Sequence, residues 1–249
     1  MGRFNNMNTV YLIWFFVIGC VFGSFFGVVG TRLSEEKSIV KPRSHCDHCG
    51  HELKWYELIP IFSYIIQKGK CNSCKKELSI FYPIIELISG LLFSICFFIF
   101  GFSSNLGIAL LIVSFLVIVI VSDLTYLIIP DEVTLFFSIT LILYKIIFFG
   151  FKNAFFSILN GILLFFIMYI IMLIGNKMFK KETLGGADIK LMFFIGLVLE
   201  QSSLGIFNIF LSSFIALPIS IISLIKNKNN VIPFGPFILI SLFLIFCFK

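Results

Sequence analysis

Long apolar runs return along nearly the whole chain, and they constrain its fold more than any other feature. Eight runs can be counted, at about 9–31, 83–102, 106–122, 132–150, 154–177, 189–200, 203–225 and 231–248. A helix needs roughly 20 residues to cross a bilayer, and most of the runs approach that length. Charged residues make up only 13% of the 249 residues, against about 25% in soluble domains. The sequence therefore predicts an all-α polytopic membrane protein of about eight transmembrane helices.

Basic residues are concentrated in alternate segments between the apolar runs. The segments 32–82, 177–190 and 226–230 hold fifteen of the nineteen Lys and Arg residues. Because basic residues accumulate in cytoplasmic loops, we predict that these segments are cytoplasmic and that both termini lie outside. The same rule accounts for the net charge of +6. We therefore expect a multi-pass protein of the cell membrane, with the lipid bilayer and not nucleic acid as its partner.

The spacing of the runs divides the chain into three predicted parts. Residues 1–31 form the first transmembrane helix, 32–82 a cytoplasmic loop domain, and 83–249 the remaining membrane domain. The loop has 51 residues, which is too few to build a stable apolar core unaided. We expect this loop to need a metal ion or a similar crosslink.

Four cysteines in that loop form two pairs of the kind that bind zinc. Cys46 and Cys49 make one C-x-x-C pair, and Cys71 and Cys74 follow after 21 further residues. Four thiolates match tetrahedral structural zinc and leave no open position for catalysis. The alternatives are disulfides, which a cytoplasmic loop disfavours, and a redox pair, which needs only one such motif. We interpret the three histidines of the loop as residues near the zinc site rather than ligands.

Ionisable residues at the ends of membrane helices are costly and therefore point to function. The acidic candidates are Glu86, Asp123, Asp131, Glu132, Asp188 and Glu200. Asp123 ends the third apolar run and Asp188 opens the sixth, so the topology puts both at the cytoplasmic face. Two adjacent carboxylates can hold one ionised and one protonated group, which is the requirement for peptide hydrolysis by an aspartyl protease.

Other interpretations of these carboxylates stay open on spacing alone. Asp188 and Asp131 each fall at a helix start, where an acidic residue commonly caps the helix and suits its dipole. Asp123 falls at a helix end, where the dipole disfavours an anion. An ion- or proton-coupled transporter with a zinc-stabilised cytoplasmic loop would also place acidic residues along its path.

Six motifs follow one another along nearly the whole chain. They are Gly23-Ser24-Phe25-Phe26 through Arg32-Leu33, Ser44-His45-Cys46 through Pro60, Gly69-Lys70-Cys71 through Leu87, Asp123 with Ile129-Pro130-Asp131, Gly185 through Leu191, and Pro233-Phe234-Gly235-Pro236-Phe237. In this order they resemble those of the type IV prepilin peptidases, membrane aspartyl proteases that also act as N-methyltransferases.

The resemblance implies a reaction and a role for each motif. The substrate would be a prepilin or pilin-like precursor, cut after a Gly at the cytoplasmic face and then methylated at its new N-terminus with S-adenosylmethionine. Asp123 and Asp188 would be catalytic, and Cys46, Cys49, Cys71 and Cys74 would hold Zn²⁺. Asp131 is interpreted as a helix cap. Glu86 is interpreted either as a residue of methyl transfer or as a cap of the second span.

Two positions depart from the family's pattern. Ala187 stands where the second aspartate motif usually has Gly, and it adds only a methyl group. Gly27 stands where the first motif usually has Asn. If that Asn serves methyl transfer, the second activity is the one affected.

Overall fold

A computed structural model describes residues 6–180, 185–225 and 233–249, and eight helices of 14 to 29 residues account for most of them. The helices, including one short helix of the loop, are α1 (Asn6–Ser34), α2 (Phe62–Ile66), α3 (Phe81–Phe100), α4 (Ser104–Tyr126), α5 (Asp131–Phe149), α6 (Phe151–Phe179), α7 (Gly186–Leu199), α8 (Ser202–Ile225) and α9 (Gly235–Phe248). Each of the eight predicted apolar runs corresponds to one of these eight helices, so the prediction of an all-helical membrane protein is confirmed.

Six of the helices are long and apolar enough to cross a membrane, and they are α1, α3, α4, α5, α6 and α8. The other two, α7 and α9, have 14 residues each. The count of eight membrane spans is thus not confirmed, although all eight runs are helical. Helices form here because a segment in lipid must satisfy its backbone N–H and C=O groups internally. Of the basic residues counted above, Arg3, Lys181, Lys226 and Lys228 lie outside the described part of the chain.

The chain forms two compact units, Met1–Leu106 and Gly107–Lys249. The predicted boundary at residue 83 remains a prediction, and the division of the structure groups α3 with α1. In the N-terminal unit α1 crosses α3 closely, since a Cβ on Gly19 would lie 2.8 Å from the Cα of Gly90. Ser94 adds a hydrogen bond to the carbonyl of Leu12 across the same interface at 2.8 Å. Small residues allow this approach, as is common between membrane helices.

In the C-terminal unit α4 and α7 form the buried centre. Phe115, Val119 and Val121 of α4 and Phe194 of α7 are fully buried. A helix that is apolar all round is one that packs on all sides or faces lipid. The outer helices α5, α6 and α8 instead leave many large apolar side chains exposed, as a lipid-facing surface requires.

Buried polar side chains tie helix ends together in this unit. Lys145 of α5 is 1% exposed and its Nζ donates to Glu200 at 2.5 Å and to Ser157 at 3.0 Å. Asn160 of α6 donates to the carbonyl of Gly196 in α7 at 3.0 Å. A buried charge is tolerated only when it is paired and hydrogen-bonded. Glu200, one of the acidic candidates, therefore has a structural partner.

The crossing of α6 and α7 predicts a stability change. A Cβ on Gly196 would lie 2.5 Å from the Cα of Gly161 and 2.8 Å from the carbonyl oxygen of Asn160. Gly196→Ala should lower the free energy of unfolding by about 1–3 kcal/mol, because backbone atoms cannot give way as a flexible side chain can. Thermal unfolding of the purified protein in detergent measures it. The matched control is Gly186→Ala in the same helix, whose Cβ meets nothing within 4 Å; equal melting temperatures for both variants would contradict this account of the crossing.

Candidate active site and metal centre

Asp123 lies near the end of α4 and is 6% exposed. Its Oδ2 accepts a hydrogen bond from the backbone N–H of Gly235, the first residue of α9, at 3.2 Å. The first N–H groups of a helix have no partner within it, and they carry the positive end of the helix dipole. A carboxylate at the unfavourable end of its own helix is thus stabilised by the favourable end of another.

Gly235 belongs to the site, and sequence reasoning did not single it out. A Cβ at this position would lie 3.0 Å from Oδ2 of Asp123 and 2.6 Å from Cδ1 of Ile129. Only a glycine lets the start of α9 approach the carboxylate so closely. The available signal was a glycine at a predicted helix start inside a family motif.

Asp188 is the third residue of α7 and is half-buried. It lies close enough to Asp123 for the two carboxylates to repel each other electrostatically. Asp123 thus acts electrostatically on the Asp188 carboxyl, and the pairing of the two aspartates as a catalytic dyad stays a prediction. Gly186 has nothing within 4 Å of the place where a Cβ would stand. The backbone before Asp188 therefore borders open space.

Asp131 is the first residue of α5, where an acidic side chain suits the helix dipole, but the N-cap position is that of Pro130 and no side chain caps the helix. Asp131 has its partner on another helix. Both of its carboxylate oxygens accept from Nζ of Lys190 in α7, at 2.6 and 2.7 Å. The pair is solvent-exposed and is worth about 0–1 kcal/mol. It ties the start of α5 to α7 two residues beyond Asp188.

An apolar groove of about 570 Å³ opens beside this pair. Residues of α5, α6 and α7 line it, among them Leu135, Ile162, Phe166 and Phe193, and Asp131 and Lys190 also border it. The side of α7 that carries Lys190 thus adjoins an apolar surface.

The four loop cysteines converge as predicted. All four Sγ atoms lie within 4.8 Å of one another, with 3.9 Å between those of Cys46 and Cys74 and 4.0 Å between those of Cys49 and Cys71. Tetrahedral zinc with Zn–S bonds of about 2.3 Å requires sulfur atoms about 3.8 Å apart, so the residues fit the ion. The backbone N–H groups of Cys74 and Ser73 lower the pKa of the Cys71 thiol to about 6. None of the three histidines belongs to this cluster.

The two cysteine pairs form matching turns. In the first, the Cys46 N–H donates to the carbonyl of His51, and the Gly50 N–H donates to the carbonyl of Cys46. Cys71 makes the same two bonds with residues Lys76 and Lys75. The fifth residue of each turn has positive φ, 69° for Gly50 and 60° for Lys75. Both turns therefore direct two sulfur atoms toward one point.

Glu57 is a buried carboxylate of the loop that sequence reasoning quoted only as part of a motif. It lies in a short 3-10 turn, Trp55–Leu58, and its side chain is 1% exposed. The backbone N–H of Lys54, which donates to Oε2 at 2.8 Å, holds the pKa of this carboxyl below its usual range, although burial opposes it. Asn72 donates to Oε1 at 2.7 Å. Both oxygens of the Glu57 carboxylate therefore accept hydrogen bonds from within the loop.

Glu86 lies in the second turn of α3 and does not act as the cap that one interpretation expected. Its Oε2 accepts from the backbone N–H of Ile61 in the loop at 2.7 Å, and Ser24 of α1 also hydrogen-bonds it. Glu86 thus joins three segments of the N-terminal unit. Gly27 is not required by packing, since a Cβ there would meet only the ring of Tyr82, at 4.0 Å.

These features define a polytopic membrane protein with two aspartates near helix ends in its C-terminal unit and a four-cysteine cluster in its N-terminal unit. Comparison with known proteins gives the particular family. The profile of the bacterial peptidase A24 N-terminal domain matches residues 17–100, and that of the type IV leader peptidase family matches residues 110–221. The chain belongs to the type IV leader peptidase family and is a peptidase.

Curated relatives carry the same description. The chain is 36% identical over 184 residues to the prepilin leader peptidase/N-methyltransferase of Bacillus subtilis (strain 168), which covers 74% of this chain and 72% of the relative. The protein of that name in Myxococcus xanthus is 36% identical over 205 residues, 82% of this chain, and the chain spans 59% of its length. The protein of that name in Vibrio cholerae is 29% identical over 261 residues, which cover 96% of this chain and 98% of the relative. No solved structure matches the chain.

The cysteine geometry predicts the effect of removing one ligand. Cys46→Ser should leave the purified protein with roughly a tenth or less of the wild-type zinc, because a structural site needs all four thiolates. Elemental analysis of protein purified without chelator measures this. Cys247→Ser, in α9, is the control and should keep the wild-type zinc content. Full zinc in the Cys46 variant would mean that the cluster is not the metal site.

Proposed function

We propose that the protein cleaves the leader peptide of prepilin or pilin-like precursors after a Gly at the cytoplasmic face of the membrane. The observation that carries the proposal is that Asp123 and Asp188 lie near the ends of two different helices and that Asp123 acts electrostatically on Asp188. The family and the names of the relatives supply the substrate class. The distribution of basic residues supports the cytoplasmic orientation.

The two carboxylates would divide the work of hydrolysis. The N–H of Gly235 and the N-terminus of α9 favour the ionised form of Asp123, which would take a proton from the attacking water. Asp188, protonated beside it, would donate a hydrogen bond to the scissile carbonyl and stabilise the oxyanion that forms. When the tetrahedral intermediate collapses, the C–N bond breaks and the departing amine takes a proton from Asp123. The products are the leader carboxylate and the new N-terminal amine.

A second activity, N-methylation of that amine, is the companion proposal. S-adenosylmethionine would supply the methyl group, and Glu86 is the carboxylate that we propose to take part. Its contacts with Ile61 and Ser24 hold it at a junction of α1, α3 and the loop. The match of the N-terminal family profile to residues 17–100 includes all of these segments.

The alternative of an ion- or proton-coupled transporter is not supported. Family membership does not point to transport, and Glu200, one of the candidate carboxylates for an ion path, is paired with a buried Lys145. The proposed function of the four cysteines is structural and is compatible with either activity.

Replacement of either aspartate tests the proposal. Asp123→Asn and Asp188→Asn should each lower leader cleavage by about 100-fold or more, since neither variant can hold one ionised and one protonated carboxyl. Cleavage of a prepilin-like substrate in membranes, followed by mass spectrometry of the mature N-terminus, measures both activities. Asp131→Asn, which only breaks an exposed ion pair, is the control. Normal cleavage by either dyad variant would exclude the mechanism, and an unmethylated product from the wild-type protein would exclude the second activity.

The contact between Gly235 and Asp123 predicts that a change at Gly235 also lowers the rate of leader cleavage. Gly235→Ala would push the Asp123 carboxylate aside and should lower cleavage by up to about 100-fold, because small misplacements of catalytic groups have large effects on rate. The substrate's KM should change little. Gly27→Ala, where a Cβ has room, serves as the control for cleavage. If Gly235→Ala cleaved at the wild-type rate, this positioning of Asp123 would be disproved.

A further inference from the structure

Glu57 is the one buried carboxylate of the loop, and the proposed chemistry does not use it. Its Oε2 accepts from the Lys54 N–H at 2.8 Å and contacts Nε2 of His51 at 3.4 Å, while Oε1 accepts from Nδ2 of Asn72 at 2.7 Å. Burying a carboxylate is costly unless hydrogen bonds compensate it. These hydrogen bonds therefore offset the cost of burying the Glu57 carboxylate in the loop.

The donors come from both halves of the cysteine cluster. His51 follows Cys49 by two residues, and Asn72 lies between Cys71 and Cys74. One carboxylate thus joins the two turns that hold the sulfur atoms. Hydrogen bonds to an ionised group are stronger than those between neutral groups. The bond from Asn72 is short, at 2.7 Å, whereas the contact with His51, at 3.4 Å, is longer.

Two residues separate the 3-10 turn that carries Glu57 from Ile61. Ile61 has φ 61° and ψ −53°, a conformation that a β-branched residue rarely adopts. Strained backbone of this kind persists only where its surroundings hold it. On one side Glu57 holds the turn, and on the other the Ile61 N–H donates to Glu86 at 2.7 Å.

We propose that Glu57 is a positioning residue that couples zinc in the four-cysteine cluster to Glu86. Zinc brings the two cysteine turns together, and this sets His51 and Asn72 around Glu57. Glu57 then holds the turn, and the turn presents the Ile61 N–H to the Glu86 carboxylate. Removal of zinc loosens this series of contacts and frees Glu86. The part that concerns methyl transfer rests on the proposed function, whereas the coupling itself does not.

The test compares wild-type protein and Glu57→Gln, each at saturating zinc and after removal of zinc by a chelator. Gln keeps the size of the side chain but replaces one acceptor oxygen with a donor, so it cannot accept from both Lys54 and Asn72. Elemental analysis reports retained zinc, and hydrogen exchange of peptides that contain Ile61 reports the contact with Glu86. The full-length protein in detergent is used throughout.

Two results are expected. Glu57→Gln should hold zinc about 10- to 100-fold less tightly in chelator competition, as is usual for residues that orient metal ligands. Zinc removal should speed exchange at Ile61 about tenfold in the wild type, the effect of losing roughly one hydrogen bond. In Glu57→Gln at saturating zinc, exchange should already be fast, and zinc removal should add little.

The control is Glu57's neighbour in the same loop, Glu52, which is exposed. Glu52→Gln should behave as wild type in every measurement.

A residue that merely stabilised the loop would leave the response of Ile61 to zinc intact, so an unchanged response in Glu57→Gln would overturn the proposal. Wild-type zinc retention by that variant would also overturn it. If Glu57→Gln does not fold, Asn72→Ala removes one of the same contacts and should give the same two effects in weaker form; wild-type behaviour there would equally overturn the coupling.

The substrate assay separates this coupling from the proposed function. At saturating zinc, Glu57→Gln should still cleave a prepilin-like substrate but leave most of the new N-termini unmethylated. If the exchange results hold and methylation is normal, the coupling stands and the role of Glu86 in methyl transfer fails.

Discussion

A bilayer offers no water to backbone N–H and C=O groups, and the rest of this structure depends on that constraint. Helices satisfy nearly all of these groups internally, except at their ends. The carboxylate of α4 that we propose to be catalytic uses one such exception. Asp123 accepts the free N–H of Gly235 at the start of α9, so the unsatisfied end of one helix and the buried charge on another stabilise each other.

The same solution recurs in the N-terminal unit. Glu86 accepts the N–H of Ile61, and Glu57 accepts that of Lys54. In each case a backbone donor with a fixed direction determines where a carboxylate lies. A side-chain donor must itself be ordered to make such a bond, which costs conformational entropy. A backbone N–H of a helix or turn is already held in one direction. Backbone donors thus position three of the carboxylates discussed above, which are Asp123, Glu86 and Glu57.

Much of the architecture is evident from local pattern. The eight helices follow from apolar runs, and the metal cluster follows from two C-x-x-C pairs, since both are encoded by residues near one another in the chain. The pairing of Asp123 with Asp188 also came from topology and family resemblance. The apolar runs do not give the number of membrane spans, because α7 and α9 are helical but have only 14 residues each. Length decides whether a helix can cross, and a boundary shift of a few residues changes the answer.

The sequence by itself determined the fold class, the cysteine cluster and the identity of the candidate catalytic aspartates. Only the tertiary structure decided which groups surround them. Asp123 and Gly235 are 112 residues apart, and Glu57 meets Asn72 across 15 residues of loop. Lys190 pairs with Asp131, a residue that the sequence suggested only as a helix cap. Such contacts depend on how helices and turns pack, and packing brings together residues whose separation along the chain carries no local signal.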